Sequence, residues 1–236
     1  TGHAVMQAMP AIDTADQEKR VLVLYGDVPL TNFSTLQALV DQASENKLCI
    51  LTLVTENPAG LGRIIRDSSG EITAIVEEKD ASEEQKQIKE INTGIMVIPA
   101  AKLNTWLGSL GNDNAQGEYY LTDVVGMAAA DGDCSISAMV IHDANEVQGV
   151  NDRSQLAELE RQFQMNNAEQ LLQAGVLLRD PSRVDIRGEI EIGSDVEIDI
   201  NAIFEGEVSL GNGVKIGANV VIKDSKIANN VTILAG

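Results

Sequence analysis

The sequence predicts an α/β domain followed by a parallel β-coil, and three observations carry that prediction. From Ile192 every sixth residue is apolar: Ile198, Phe204, Leu210, Ile216 and Ile222 follow it. A second ladder, Ile190, Val196, Ala202, Val208, Val214 and Val220, runs two residues ahead, with Gly193, Gly211 and Gly217 between the two. A helix does not repeat every six, and a plain strand alternates every two without needing glycine on this beat. Six residues suit one face of a three-sided coil whose turns stack and bury only the inward side chains. Upstream, residues 21–25 and 49–54 are continuous apolar runs separated by a stretch of helical period, the pattern of strands covered by helices on both faces. Between the two rhythms, residues 154–174 read as a long helix closed by Gly175, with Pro181 preventing continuation. The domains expected are therefore 1–152, a linker with a helical arm over 153–183, and the coil over 184–236.

Taken in order, residues 3–10 read as a short helix and 13–20 as a polar loop. The run 21–25 reads as a central parallel strand, ended by the turn from Gly26 to Leu30. Asn32 or Ser34 is placed to cap the next helix, which carries Phe33, Leu36, Leu39, Val40 and Ala43. Residues 49–54 form the second buried strand. Residues 63–66 and 71–77 fit a hairpin around Asp67-Ser68-Ser69-Gly70, and 82–89 reads as polar and helical. Asn92-Thr93-Gly94 precedes a strand over 95–98, closed by Pro99. Residues 101–110 and 118–130 read as helices, the first with Leu103, Trp106, Leu107 and Leu110 on one side, the second capped by Thr122 or Asp123. A strand over 135–141 and a loop through Gly149 and Asn151 lead to the long helix. Its apolar residues Leu156, Leu159, Phe163, Leu171 and Leu172 are interrupted by the polar run 164–167.

Composition narrows the chemistry. Hydrophobic residues make up 44% and aromatics only 3%, so the core is aliphatic. The formal net charge is -19, from 36 acidic and 17 basic residues, which argues against a nucleic-acid backbone as partner. A nucleotide remains compatible where Mg²⁺ and backbone amides carry the local charge. Cys49 and Cys134 form neither a metal pattern nor a disulfide framework, and a reduced cytoplasmic setting is the default. No apolar run reaches membrane-spanning length, and no signal segment is expected. Thr1 stands first and the last residues stop within the coil rhythm, so both ends read as cut.

The local signals are each open. Asp27 lies past the end of an apolar strand, where open α/β sheets bind ligands, and fits either a Mg²⁺ ligand or a turn aspartate. The stretch Gly60-Leu61-Gly62-Arg63 permits close backbone approach to a ligand or makes a tight turn. Asn92-Thr93-Gly94 suits hydroxyl or amide recognition, or a turn. Tyr119-Tyr120-Leu121-Thr122 concentrates two of the three tyrosines, at a site or in a packing cluster. Asn151 reads as a second Mg²⁺ ligand or as a cap for the long helix. His3 and His142 have no partner at zinc spacing. No Gly-x-Ser-x-Gly elbow, phosphate loop or dinucleotide fingerprint is present, which weakens hydrolase and dehydrogenase readings.

Read together, these stretches resemble the bacterial bifunctional N-acetylglucosamine-1-phosphate uridyltransferase / glucosamine-1-phosphate acetyltransferase family. The carrying residues are Thr1-Gly2-His3-Ala4, Leu24-Tyr25-Gly26-Asp27-Val28-Pro29-Leu30, Gly62-Arg63-Ile64, Val76-Glu77-Glu78-Lys79-Asp80 and Glu90-Ile91-Asn92-Thr93-Gly94. They continue with Asn114-Ala115-Gln116-Gly117-Glu118-Tyr119-Tyr120-Leu121-Thr122-Asp123, Glu146-Val147-Gln148-Gly149-Val150-Asn151 and Leu178-Arg179-Asp180-Pro181. Tyr-Gly-Asp-Val-Pro-Leu alone indicates sugar nucleotidyltransferases in general; the later stretches followed by hexads narrow it.

The resemblance implies a Rossmann-like nucleotide-diphospho-sugar transferase domain followed by the start of a left-handed parallel β-helix of hexapeptide repeats. It implies uridylyl transfer from UTP to N-acetylglucosamine 1-phosphate, giving UDP-N-acetylglucosamine and pyrophosphate. In that reading Asp27 and Asn151 hold Mg²⁺, Thr1 lies against the uracil, and Tyr25 and Gly26 lie near the nucleotide. Gly62, Glu77, Asn92, Tyr120 and Thr122 line the N-acetylglucosamine pocket. The family's opening glycine-rich loop, with its Gly-Thr-Arg segment and Pro-Lys, is absent upstream of Thr1, and so is the first strand that opening supplies. Leu61 stands where the family often has tyrosine, and the loop over 13–18 is slightly longer than usual. The acetyltransferase residues, the acetyl-CoA site and the trimer-forming coils of the family's homotrimer have no counterpart in this sequence. The alternatives are a nucleotidyltransferase for another sugar 1-phosphate and a structural fragment without turnover.

Overall fold

A computed structural model describes residues 1–236, which divide into two compact units, Thr1–Gly149 and Val150–Gly236. The first unit runs α1 (Gly2–Ala8), β1 (Arg20–Val23), α2 (Phe33–Gln42), β2 (Lys47–Val54), β3 (Arg63–Arg66), β4 (Ile72–Val76), β5 (Glu90–Pro99), α3 (Ala100–Leu107), α4 (Asp123–Ala130) and β6 (Ser135–Ile141). The strands form one mixed sheet in the order β4-β3-β5-β2-β6, with β1 also paired to β5.

β2 shows why the sheet sits in the middle. Successive side chains of a strand point to opposite faces. Leu48 and Ile50 enter one cluster with Leu103, Trp106 and Leu107 of α3 and Val124, Val125 and Ala128 of α4. Cys49, Leu51 and Leu53 enter the other, with Leu39 of α2, Ile95, Val97 and Ile141. A strand buried on both faces needs apolar residues at every position, which is what the continuous run supplies.

The same argument misjudges β1. Its run suggests a central parallel strand, yet β1 is antiparallel to β5 and has no other neighbour. Val21 and Val23 pack into one cluster and Leu22 into the other, so the run does report burial on two faces. Hydropathy carries no information on strand direction or on the number of ladder partners. β5 is likewise antiparallel to β2 and β3, and only β2 and β6 pair in parallel.

The hairpin of β3 and β4 forms as expected. The Asp67 carboxylate accepts from the Ser69 and Glu71 amides at 2.8 and 3.0 Å, and Gly70 takes a φ of +90°. Residues 82–89 hold only one 3-10 turn, Gln85–Gln87. The segment before α4 is irregular, so that helix starts at Asp123 rather than 118. Asn32 occupies the cap position of α2 without a side-chain cap, and neither does Ser34 supply one. Instead Glu146 accepts from the Asn32 amide at 3.1 Å and the Thr35 hydroxyl at 2.7 Å, a carboxylate brought to the positive end of the helix from far along the chain. Of the apolar residues this helix carries, Phe33 is exposed and Leu39 is buried.

The second unit holds α5 (Arg153–Gln173), β7 (Leu177–Leu178), β8 (Val184–Ile192), β9 (Glu197–Ile198), β10 (Ala202–Leu210), β11 (Lys215–Ile216), β12 (Val221–Ile227) and β13 (Thr232–Ile233). Two all-parallel sheets, β12-β10-β8 and β13-β11-β9-β7, form a β-helix. Val184 stacks under Ala202, an offset of 202 - 184 = 18 residues, which is three hexads per coil. Every residue of both ladders belongs to one core. Corners recur at the same offset: Asp195 and Gly213, and Asn201 and Asn219, all have positive φ. Asn, Asp and Gly reach that region at least cost. One corner is short. Glu205 pairs with Lys223 but Val208 with Ser225, so the offset falls from 18 to 225 - 208 = 17. Two residues of β10 thereby oppose one of β12, a bulge, and the ladder resumes at Ile227 and Ile233.

α5 ends in a Schellman motif: Val176 donates to the Leu171 carbonyl and Gly175, at φ +90°, to that of Leu172. Its packed face differs from the one expected. Leu159, Gln164, Ala168 and Leu171 are buried, whereas Leu156, Phe163 and Leu172 are exposed. Gln164 mimics a peptide group: its amide donates to the Ile186 carbonyl at 2.9 Å and accepts from the Ile186 amide at 2.7 Å. A residue read as an interruption is the contact that seats the helix on β8.

Candidate functional site

The antiparallel pairing of β3 with β4 places Gly62, just before β3, beside Glu77, just after β4. A Cβ on Gly62 would lie 3.3 Å from Glu77 Oε2 and 3.1 Å from Ile75. The Gly62 carbonyl accepts the Asn92 amide at 2.8 Å, which brings the start of β5 to the same place. Across the cleft, Thr122 at the head of α4 donates its hydroxyl to Glu77 Oε1 at 2.9 Å. That hydroxyl therefore does not cap α4.

Asn92-Thr93-Gly94 is not a turn. It lies inside β5, where the ladder with β2 is irregular. The Asn92 side chain accepts the Gly94 amide at 3.0 Å, and the Thr93 hydroxyl donates to the Leu51 carbonyl at 2.8 Å. Gly94 has a φ of +84°, and a Cβ there would fall 1.7 Å from the Tyr25 ring. Glycine thus lets Tyr25, beyond the end of β1, lie directly on the β5 backbone. Burial pushes the Tyr25 phenol pKa up; Thr1 acts against this, and the charges of Glu77 and Asp27 add to the rise. Thr1 is held nearby because the Gly2 amide donates to the Tyr119 carbonyl at 2.8 Å.

Gly26 and Asp27 occupy the exposed turn after β1. The Gly149 backbone approaches this turn, its would-be Cβ lying 3.9 Å from the Asp27 carbonyl oxygen. The sheet end therefore collects Thr1, Tyr25, Gly26, Asp27, Gly62, Glu77, Asn92, Tyr120 and Thr122 from segments far apart in sequence. Asn151 belongs to the second unit. Its amide donates to the Gln155 side chain at 2.7 Å, and the cap of α5 is Asp152, which accepts the Gln155 amide at 2.9 Å. The cap reading of Asn151 is thereby replaced by its neighbour.

Beside Glu77 lies an open cleft of about 330 Å³, lined by Asp80, Asp113, Asn114, Tyr120 and Asp123 among others. Burial, and to a lesser degree the charge of Asp80, push the Asp123 carboxyl upward from its ordinary value. Burial likewise raises the Tyr120 phenol, against a hydrogen bond from Gln116. Asp80, Asp113, Asn114, Gln116 and Asp123 were not legible as site residues, because each is an ordinary loop or helix-start residue until the fold assembles the cleft. The wall is rich in acceptors. It can recognise hydroxyl and amide groups and align a reactant.

No group of three or more His, Cys, Asp or Glu is placed to hold a metal. Asp27 nevertheless fits a hard cation: its exposed carboxylate enters no hydrogen bond or ion pair. Mg²⁺ takes only one or two protein carboxylates, completing its shell with water and phosphate oxygens.

Residues 189–224 match the bacterial transferase hexapeptide (six repeats) family. Over 235 residues the chain is 57% identical to the bifunctional protein GlmU of Pseudomonas entomophila (strain L48), covering all of this chain and 50% of that protein. The GlmU of Neisseria meningitidis is 56% identical over 233 residues, 99% of this chain and 50% of that protein. That of Methylococcus capsulatus is 54% identical over 236 residues, again 50% of that protein. A solved Bacillus anthracis structure, described as a glucose-1-phosphate thymidylyltransferase, aligns over 67% of this chain and 58% of its own, with 17% identity and a TM-score of 0.46. The chain spans about half the length of the curated relatives it matches. With that similarity running through both units, the chain belongs to the bifunctional GlmU family.

Proposed function

We propose that the chain serves uridylyl transfer from UTP to N-acetylglucosamine 1-phosphate, giving UDP-N-acetylglucosamine and pyrophosphate. The observation that carries this reading is the convergence of Gly62, Glu77, Asn92 and Thr122, joined by the Glu77–Thr122 bond and the Gly62–Asn92 backbone bond. These present a carboxylate, an amide and backbone groups to a hydroxylated, acetamido-bearing ring, with Tyr120 as the cleft wall. Thr1, Tyr25 and Gly26 are the nucleotide side, Thr1 against the uracil.

A phosphate oxygen of the sugar phosphate attacks the α-phosphorus of UTP, the bond from that phosphorus to the bridging oxygen breaks, and pyrophosphate leaves. Such a transfer needs alignment and charge neutralisation more than a protein nucleophile. Asp27 is the residue of the first unit that would hold Mg²⁺, whose chemistry is to offset the crowded charge of the triphosphate. The assignment of Asn151 rests on family membership alone. For the whole protein we extend the proposal to acetylation of glucosamine 1-phosphate by acetyl-CoA, a homotrimer through the β-helix and a cytoplasmic setting; no residue of this chain is assigned to the acetyl transfer.

The test is formation of UDP-N-acetylglucosamine from UTP, N-acetylglucosamine 1-phosphate and Mg²⁺, with this chain and with one extended upstream by the family's glycine-rich loop. Turnover in the extended chain is expected. There Asp27→Asn should lower Mg²⁺-dependent turnover by about a hundredfold or more. Near-normal turnover of that variant across Mg²⁺ concentrations removes Asp27 from the site. A folded extended protein that turns over only another sugar 1-phosphate replaces the substrate; one that turns over none leaves a structural module.

A further inference from the structure

We propose that Gln116 is a positioning residue that fixes the Tyr120 hydroxyl as a hydrogen-bond donor into the cleft. The proposal rests on the reading above, in which Tyr120 lines the sugar phosphate pocket. Gln116 itself is exposed on the loop before Tyr120.

The argument is one of donors and acceptors. Lys79 Nζ lies 2.8 Å from Gln116 Oε1, and Gln116 Nε2 lies 2.9 Å from the Tyr120 hydroxyl. An amide can be turned end for end, but an ammonium only donates. Lys79 therefore holds the oxygen of Gln116 toward itself, and the NH₂ must face Tyr120. The Tyr120 oxygen is then an acceptor from Gln116, and its single proton is left for another partner. Asp80 shares the cleft wall with Tyr120, and its charge adds to the rise of the phenol pKa. A ligand oxygen entering the cleft meets the same proton.

The loop that carries Gln116 is held independently of the relay. The Asn114 side chain accepts the amides of Gln116 and Glu118, each at 3.2 Å, and donates to the Glu118 carbonyl at 2.6 Å. The Asp80 carboxylate accepts the Ala115 amide at 2.9 Å. Because these contacts use Asn114, Ala115 and Asp80, a change at the Gln116 side chain leaves the loop anchored and alters only the relay. The side chain's one remaining task in the structure is to orient Tyr120.

Gln116→Glu separates the roles. A carboxylate still accepts from Lys79 but cannot donate, so the Tyr120 proton must turn toward it and away from the cleft. Calorimetric binding of N-acetylglucosamine 1-phosphate to the chain should weaken about tenfold in Gln116→Glu, the equivalent of one hydrogen bond. The variant should bind no more weakly in a Tyr120→Phe background than Tyr120→Phe does alone, and its thermal midpoint should be unchanged. An independent reading is the ultraviolet titration of Tyr120, taken as the difference from Tyr120→Phe. Gln116→Leu should move that curve to higher pH, because the lost donor stabilised the phenolate. Lys79→Met should move it in the same direction, with Lys79→Arg restoring it. Equal weakening by Gln116→Glu in both backgrounds, or a Tyr120 curve unmoved by Gln116→Leu, overturns the proposal. If Tyr120→Phe binds the sugar phosphate normally, the pocket assignment under Proposed function fails, and the titration alone decides the relay.

Discussion

Gly94 is the residue on which the candidate site depends most directly. Its φ of +84° and the Tyr25 ring at its would-be Cβ are two independent demands for glycine. Gly94→Ala should cost about 1–3 kcal/mol in backbone strain and displace Tyr25 as well. Urea denaturation reads the first effect and near-ultraviolet circular dichroism the second; a variant with native values in both would show that the ring does not need this approach. Glu90 provides a pH test. Arg66 holds it through paired contacts at 2.8 Å, with Thr52 donating at 3.0 Å, and the Arg66 contact keeps its carboxyl below the ordinary value of 4.5. A depressed folded pKa gives stability that is present above the unfolded value and lost as pH falls through the folded one. Glu90→Gln should therefore lower the melting temperature at pH 7, and the gap should shrink as pH falls below the ordinary value of 4.5. A gap that is constant from pH 7 to pH 3 would show that charge plays no part.

Among the elements, α5 and the coil differ in how much of them could be read. The two hexad ladders specify their own burial because stacking at an offset of 18 puts each rung beneath the next. The slip to 17 was not legible: it needs Gly206 and Glu207 to oppose Asp224 alone, and only paired strands define that. The seat of α5 was hidden for a different reason. Gln164 counts as polar in any hydropathy pattern, yet it is buried and pairs with both backbone groups of Ile186. Gln164→Leu keeps the volume but leaves an amide and a carbonyl without partners, so it should destabilise the chain by about 2–4 kcal/mol. Chemical denaturation followed by helix signal measures this. A loss under about 0.5 kcal/mol would mean that water or a shifted helix satisfies Ile186.

For the whole molecule the governing number is the net charge of -19. Thirteen close ion pairs join acidic to basic residues, but with 17 basic residues many carboxylates have no cationic partner. Self-repulsion of that kind destabilises the compact state and is screened by salt. Raising NaCl from about 10 to 200 mM, which shortens the screening length from about 30 to 7 Å, should raise the melting temperature by a few degrees. A fall would mean that the ion pairs outweigh the repulsion.

What the sequence determined by itself was the class of each unit and its repeating parts: two-faced strands under helices, the β3–β4 hairpin and the hexad core. These follow from side-chain periodicity, which is local and survives in a linear string. The order of site motifs along the chain was legible too, through resemblance. Tertiary structure alone decided the antiparallel setting of β1, the capping of α2 by Glu146, the burial of Gln164 and the bonds that join Glu77 to Thr122 and Gly62 to Asn92. Each of these depends on pairing between residues distant in sequence, and neither direction nor partner is encoded in the hydropathy of one segment.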